Sequence, residues 1–409
     1  MHEAGKTLED SIDEIREAVD FLRYYAQCAI DLKPIIQRGP TGEDNILEYG
    51  SKGIVLCISP WNFPLAITVG QIAAALAAGN TVISKPSEHT PILAFEAINL
   101  FLDQGLPEDA IHLFLGKGDI AQAIILNQPI DLVAFTGSLK TAKMIHQSLS
   151  SKAGKIIPLI AETGGLNSMI VDSSALLERA CDDIIRSAFN SAGQRCSALR
   201  LLLIHQEIYP QLISMLKGAM KDLTIGAPSD LNVDVGPIID THSLKKLENY
   251  LDQMKSNGHA IFQTSKEGIP NNGCLLPPTL IELELSNMPD EEQFGPILHA
   301  ASFSDENLID SLKEIDAKGF ALTFGIHTRI DAKALDVAKH TSSGNIYINR
   351  DIVGAVVETQ PFGGKNLSGS GFKAGGPNYL LQFMDERVVT VNTVAIGGNI
   401  DLINLNHDE

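Results

Sequence analysis

The chain is short of the features that would commit it to several classes of function. Its 409 residues include five cysteines, Cys28, Cys57, Cys181, Cys196 and Cys274, an odd number at long spacings with no CxxC pair. That pattern excludes a disulfide frame and a cysteine-ligated zinc site, and it fits a reduced, cytoplasmic protein. The histidines, among them His146, His205 and His242, are scattered without ligand spacing, so no metal site is expected. Basic charge is scarce: 31 Lys and Arg against 50 Asp and Glu leave a net charge of −19. An acidic surface disfavours nucleic acid or an anionic membrane as partner. No apolar run, the stretch 71–78 included, is long enough to cross a bilayer, so no membrane insertion is expected. The residues Met1 to Lys6 carry no apolar signal core. The GxGxxG dinucleotide fingerprint is also missing, so a nucleotide site has to be built in another way.

What is present is a globular chain, 44% hydrophobic, with length for two or three domains. Residues 7–32 read as one amphipathic helix, with Leu8, Ile12, Ile15, Val19 and Leu22 at spacings of three and four. The run Arg38-Gly39-Pro40-Thr41-Gly42 breaks it. From Gly53 to Gly165 strand-like runs (53–59, 81–84, 111–115, 132–135, 156–160) alternate with helical ones (69–78, 92–102, 140–149). This βαβα alternation predicts a parallel sheet covered by helices, which binds ligands beyond the carboxyl ends of its strands. A second series runs from Ser168 to about Asn349, with strands at 199–204, 320–326 and 345–348 and helices near 207–222 and 241–256. The break falls near Gly164-Gly165. Residues 387–392 alternate like an edge strand of the kind used in subunit pairing.

Two segments carry chemistry. Gly193-Gln194-Arg195-Cys196-Ser197-Ala198 places a cysteine on a small-residue turn after a helical stretch at 181–192, and Ala161-Glu162-Thr163-Gly164-Gly165 places a glutamate beside paired glycines. A cysteine picked at random is most often a structural core residue, and a lone loop glutamate is most often solvated. Together, a thiol nucleophile and a carboxylate that activates water are what thioester chemistry on an aldehyde requires. A turn at a helix end with nearby amide donors is expected to lower the thiol's pKa.

Five further segments complete a pattern: Pro60-Trp61-Asn62-Phe63-Pro64, Lys85-Pro86-Ser87-Glu88, Phe135-Thr136-Gly137-Ser138, Glu292-Gln293-Phe294-Gly295-Pro296 and Pro361-Phe362-Gly363-Gly364. In this order they resemble the aldehyde dehydrogenase superfamily, from about residue 3 to about residue 395. Gly354-Ala355-Val356-Val357 and the run Lys373 to Tyr379 narrow the resemblance to the L-glutamate γ-semialdehyde (Δ1-pyrroline-5-carboxylate) dehydrogenase module of the bifunctional proline utilization A family.

The resemblance implies an α/β fold with a Rossmann-like parallel-sheet cofactor domain, an α/β catalytic domain and a small β oligomerisation element. It divides the chain into an NAD-binding portion at 1–163, with 42–53 shared with the oligomerisation element, a catalytic domain at 164–362, and a return to the first domain plus a terminal pairing strand at 363–409. It implies that Cys196 is the nucleophile, Glu162 the general base and Asn62 an oxyanion donor beside the Cys196 amide. Lys85 and Glu88 would hold the adenosine ribose, Gly137 and Ser138 the pyrophosphate, and Glu292 and Phe294 the nicotinamide end. Ser197, Gly354 and Ala355 would anchor the substrate's α-carboxylate, with Phe63 and Phe362 flanking its aliphatic part. Trp61 reads as packing. Glu358 stands where that branch tends to have glycine, and is expected to point to solvent. The implied reaction is NAD-dependent oxidation of glutamate γ-semialdehyde to glutamate by a homo-oligomer. Further sequence upstream is implied, including, in the bifunctional branch, a proline dehydrogenase module. Two alternatives stand beside it: the same chemistry on another semialdehyde, such as a succinate-type substrate, and a non-catalytic fragment that serves in binding or assembly.

Overall fold

A computed structural model describes residues 1–40, 42–265 and 273–396. Thr41 of the expected break and residues 397–409 of the expected terminal segment lie outside the described residues. Helix α1 (Leu8–Asp31) is followed by strands β1 (Ile35–Gln37) and β2 (Glu43–Ser51). Then come β3 (Ile54–Ile58), α2 (Ala66–Ala77), β4 (Thr81–Lys85), α3 (Pro91–Asp103), β5 (Ile111–Leu113), α4 (Gly118–Asn127), β6 (Leu132–Thr136), α5 (Leu139–Ser151) and β7 (Leu159–Glu162). These strands form a five-stranded parallel sheet in the order β5-β4-β3-β6-β7. The chain reverses direction across the sheet between β3 and β6, which opens a crevice at the carboxyl ends. Val55, Leu56, Val133 and Ala134 are fully buried, as a sheet covered on both faces requires.

The second series is β8 (Ser168–Val171), α6 (Leu177–Phe189), β9 (Leu201–His205), α7 (Tyr209–Asp222), α8 (Thr241–Ser256), β10 (Ala260–Gln263), β11 (Thr279–Glu282), β12 (Ile297–Phe303), α9 (Leu308–Ala317), β13 (Phe320–Ala321), β14 (Thr323–His327), α10 (Asp331–Val337) and β15 (Asn345–Ile348). Its seven-stranded sheet runs β10-β11-β12-β9-β8-β14-β15, parallel except for the β10 edge. The segment 349–383 returns to the first sheet: Tyr379, Leu380 and Phe383 pack in one core with Tyr25 of α1 and Ile72 of α2. A short β16 (Lys365–Asn366) precedes β17 (Met384–Asn392), which pairs with β2 over the full length of both strands.

Several boundaries differ from the sequence reading. The strand read at 156–160 begins at Leu159 and Ile156 is exposed, because Pro158 cannot donate to a ladder. The helix read at 181–192 ends at Phe189, since Ser191 and Ala192 are left-handed (φ 54° each). The strand read at 320–326 is two strands. α1 has the expected bounds, but its apolar row faces out: Leu8, Ile12, Ile15, Val19 and Leu22 are 36–55% exposed, while Asp10, Glu14, Ala18, Phe21 and Tyr25 are buried. The reason lies in the site below.

Candidate active site

A cavity of about 120 Å³ lies where the two sheets meet. One wall is the loop that leaves α6. Ser191, Ala192 and Gly193 all take positive φ, which turns the chain sharply before Cys196. Only glycine fits at 193, because a Cβ there would lie 2.2 Å from the Gly295 carbonyl oxygen. The loop is then fixed by buried polar groups. Asn167 Nδ2 donates to the carbonyls of Cys196 (2.6 Å) and Ala198 (2.9 Å). Arg200, fully buried, donates to the carbonyl of Arg195 (3.2 Å) and to that of Gly295 (3.1 Å).

Cys196 is half-buried and lines the cavity. The expected lowering of its pKa is not found: burial, then the charges of Glu292 and Glu162, push the thiol up to about 12, against the pull of the Ser197 amide. Burial, with two nearby carboxylates, outweighs the Ser197 amide, so the resting group is a thiol.

Glu162 ends β7 and lines the same cavity. Gly364 N–H donates to its Oε2 (3.2 Å), and its carboxylate fits between Gly363 and Gly369, where a Cβ would come within about 3 Å of the oxygens. Burial pushes it up to about 8, opposed by the Gly364 amide and the Lys373 ammonium. Lys373 itself binds the carbonyls of Gly344 (2.6 Å) and Gly363 (2.7 Å), which fixes the loops behind the carboxylate.

Asn62 follows β3 and reaches across to the nucleophile loop. Its Nδ2 donates to the Gln194 carbonyl at 3.0 Å and carries a second N–H, and Asn62 stands beside the cavity, next to Phe63, rather than in its lining. Phe63, Ser197, Gly354, Ala355 and Phe362 line the cavity with Cys196 and Glu162. Gly354 has φ 67°, a conformation that favours glycine.

The residues expected to hold a dinucleotide sit outside this cavity. Lys85, buried at the end of β4, lies 3.7 Å from the exposed Glu88 carboxylate, and burial lowers its pKa. Ser138 caps α5, accepting from Thr141 N at 3.2 Å. The Gly137 amide, expected to face an anion, instead donates to the Glu162 carbonyl at 3.0 Å and continues the β6–β7 ladder. The first amides of α5 beyond that point have no partner within the helix, by helix geometry. Glu292 lies between the sites, with Oε1 2.9 Å from Arg200 Nη2. Its Oε2 lies directly against Gly164, where a Cβ would come within 1.9 Å. Burial raises its pKa and Arg200 opposes the rise. Phe294 meets Trp61 edge-on (5.7 Å), so Trp61 packs as expected.

The sequence reading missed the charges of α1. Glu17 and Arg195 line the cavity. Burial, then the charge of Glu14, pushes Glu17 up to about 7. Arg195 binds Asp10 Oδ1 (2.7 Å), and Lys6 binds Glu14 (2.8 Å). Placing the α1 acids on the solvent side, by hydropathy, hid them. The available signal was Arg195 itself, a cation beside the nucleophile that needs a buried counter-charge.

Comparison with known proteins agrees with this architecture. The sequence matches the aldehyde dehydrogenase family over residues 1–389. It is 44% identical over 397 residues to the bifunctional protein PutA of Klebsiella aerogenes, covering 95% of this chain and 29% of that protein. It is 35% identical over 404 residues to 1-pyrroline-5-carboxylate dehydrogenase 1 of Halalkalibacterium halodurans, covering 95% of this chain and 76% of that enzyme. A crystal structure of a bifunctional proline utilization A protein superimposes with a TM-score of 0.93 at 47% identity, over 97% of this chain and 40% of the other. The chain thus spans less than a third of the first curated relatives' length.

Proposed function

Since this chain belongs to the aldehyde dehydrogenase family, we propose that it oxidises L-glutamate γ-semialdehyde to L-glutamate with NAD, the second step of proline catabolism. The observation that carries the proposal is the cavity itself. It gathers a thiol, a titratable carboxylate, a small-residue loop suited to a carboxylate, and a second carboxylate, Glu17, suited to an ammonium group. An α-amino acid semialdehyde carries all the complementary groups, whereas a succinate-type semialdehyde has nothing for Glu17. In this reading Ser197 and the amides of Gly354 and Ala355 take the α-carboxylate, helped by the charge of Arg195, and Phe63 and Phe362 flank the methylenes.

The steps follow from the positions of the groups. The Cys196 thiol passes its proton to Glu162, whose raised pKa suits the exchange, and the sulfur adds to the aldehyde carbon. The oxyanion accepts from the second Asn62 N–H and from the Cys196 amide, each donor worth roughly 3–4 kcal/mol of barrier in a dry site. Bound NAD supplies the hydride acceptor that turns this adduct into a thioester. Glu162, its proton released to solvent, then takes a proton from water as the hydroxide attacks the thioester, and the Cys196 thiolate departs as glutamate forms.

The residues of the first sheet suit a dinucleotide. The N-terminus of α5 opens at the carboxyl end of β6, where unpaired amides favour a pyrophosphate. Two strands away, Lys85 and Glu88 stand at the end of β4, and a carboxylate there accepts from ribose hydroxyls and repels a 2′-phosphate. This supports residues 1–163 as the NAD-binding portion and 164–362 as the catalytic one. Among the described residues β17 has a free edge, with Val388 and Val391 exposed, which supports pairing with a second copy. Among the described residues no helix is long and apolar enough to cross a membrane.

NADH formation by the purified chain with glutamate γ-semialdehyde, beside Cys196→Ala, tests the proposal. Turnover by the wild type alone is expected. Turnover that persists in the variant, or faster oxidation of succinate semialdehyde, would overturn it.

A further inference from the structure

The inner row of α1 begins with two acids, Asp10 and Glu14, where a helix packed on a core is ordinarily apolar. Lys6, just before the helix, and Asp10 and Glu14 within it have side chains only 2–5% exposed. Each reaches one of the two loops that meet at the nucleophile. Lys6 Nζ donates to the backbone carbonyl of Asn62 at 3.0 Å, lies 3.8 Å above the Phe63 ring and pairs with Glu14 at 2.8 Å. The other oxygen of Glu14 accepts from the amides of Leu65 (2.7 Å) and Ala66 (3.2 Å), capping α2 from a distance. Asp10 holds Arg195, the residue before the nucleophile, at 2.7 Å. A buried ion pair is weak evidence for stability, because desolvation offsets its attraction. Here its bonds fall on one short segment, 62–66, that begins at the proposed oxyanion donor: Lys6 holds the Asn62 carbonyl and Glu14 the amides of Leu65 and Ala66.

We infer that Lys6, braced by Glu14, is a positioning residue that sets the Asn62 amide at the height where an oxyanion forms on Cys196. The same helix, through Asp10 and Arg195, holds the nucleophile loop to that frame. The inference rests on the roles of Cys196 and Asn62 proposed above.

The test is hydrolysis of p-nitrophenyl acetate by the full chain, followed by nitrophenolate release, because ester cleavage uses the nucleophile and the oxyanion donor without hydride transfer. Lys6→Met is expected to lower kcat about tenfold with KM nearly unchanged, since displacements well under 1 Å at such a donor are costly. Asn62→Ala is expected to lower kcat by about 10²-fold. The double variant is expected to be no slower than Asn62→Ala alone, because Lys6 acts only through that amide. A general weakening of the fold would instead multiply the two losses. Should Lys6→Met fail to fold by circular dichroism, Glu14→Gln, which keeps an acceptor for Leu65 and removes the charge facing Lys6, carries the same test. An unchanged kcat in Asn62→Ala would overturn the oxyanion assignment and the inference with it. A lowered kcat in Asn62→Ala beside an unchanged kcat in Lys6→Met, or losses that multiply, would overturn the inference alone.

Discussion

The two walls of the cavity are built on opposite electrostatic plans. On the side of the seven-stranded sheet, strong polar groups are tied to close partners: Arg200 binds Glu292 and two carbonyls, and Asn167 binds two more. On the side of the five-stranded sheet, two half-buried carboxylates are only partly compensated. Burial raises both: Glu162 reaches about 8 against the Gly364 amide and Lys373, and Glu17, beside Glu14, reaches about 7. The difference separates two tasks. A nucleophile loop works by staying where it is, which calls for saturated hydrogen bonding. A base and an ammonium ligand work by changing or sharing a proton near neutral pH, which calls for incomplete saturation.

The largest effect that would break this contrast is at Cys196. Cys196→Ala is expected to abolish NADH formation by about 10⁴-fold or more, measured in steady state, with the fold retained by circular dichroism. Next is Glu162→Gln, which removes the base for both thiol activation and thioester hydrolysis and is expected to slow NADH formation by 10²- to about 10⁴-fold, with the single-turnover burst slowed as well. The wild-type rate should climb with pH through about 8, as the carboxyl ionises, and the variant should show no such climb. The sign for stability is opposite. A carboxyl raised on folding contributes stability at low pH that is lost as pH rises from its unfolded value through about 8, so Glu162→Gln should gain stability over the wild type in alkaline denaturant titrations.

On the saturated wall, Arg200→Met strands Glu292 as a buried acid and is expected to cost about 3–5 kcal/mol in denaturant unfolding. Adding Glu292→Gln should recover part of that loss; no recovery would mean that Arg200 acts through the carbonyls instead. On the unsaturated wall, Glu17→Gln should raise KM for glutamate γ-semialdehyde about tenfold with little change in kcat, as expected for one charged hydrogen bond. The wild-type KM should fall as pH rises through about 7. The smallest effect is expected outside both walls. Glu358 is exposed and held at φ 68°, which a side chain disfavours, so Glu358→Gly should stabilise the chain by about 1 kcal/mol and leave KM and kcat alone.

Much of this was legible from the residues. Parallel strands with crossover helices followed from short apolar runs alternating with helical periods, and the nucleophile and base segments stood out by their glycines. Glycine at 193 reads as a turn in sequence, and the structure adds the reason, the Gly295 carbonyl against it. The rest depended on partners far away in the chain. The outward-facing apolar row of α1 is the plainest case. Hydropathy defines two faces on that helix but does not say which faces in, and ion pairs to Arg195 and Lys6 draw Asp10 and Glu14 inward. Likewise, amide donors near Cys196 suggested a lowered pKa, and burial, followed by two carboxylates brought from other elements, set the opposite sign.

The sequence by itself determined the order of strands and helices from β3 to β7, the turn that carries Cys196 and the presence of a glutamate beside paired glycines, because these depend on local backbone preference and on residue type. Only the tertiary structure decided which charges are buried, which are paired and where each titrates. Those quantities depend on distances of a few ångströms between residues far apart in the chain, and on the water that folding removes from between them.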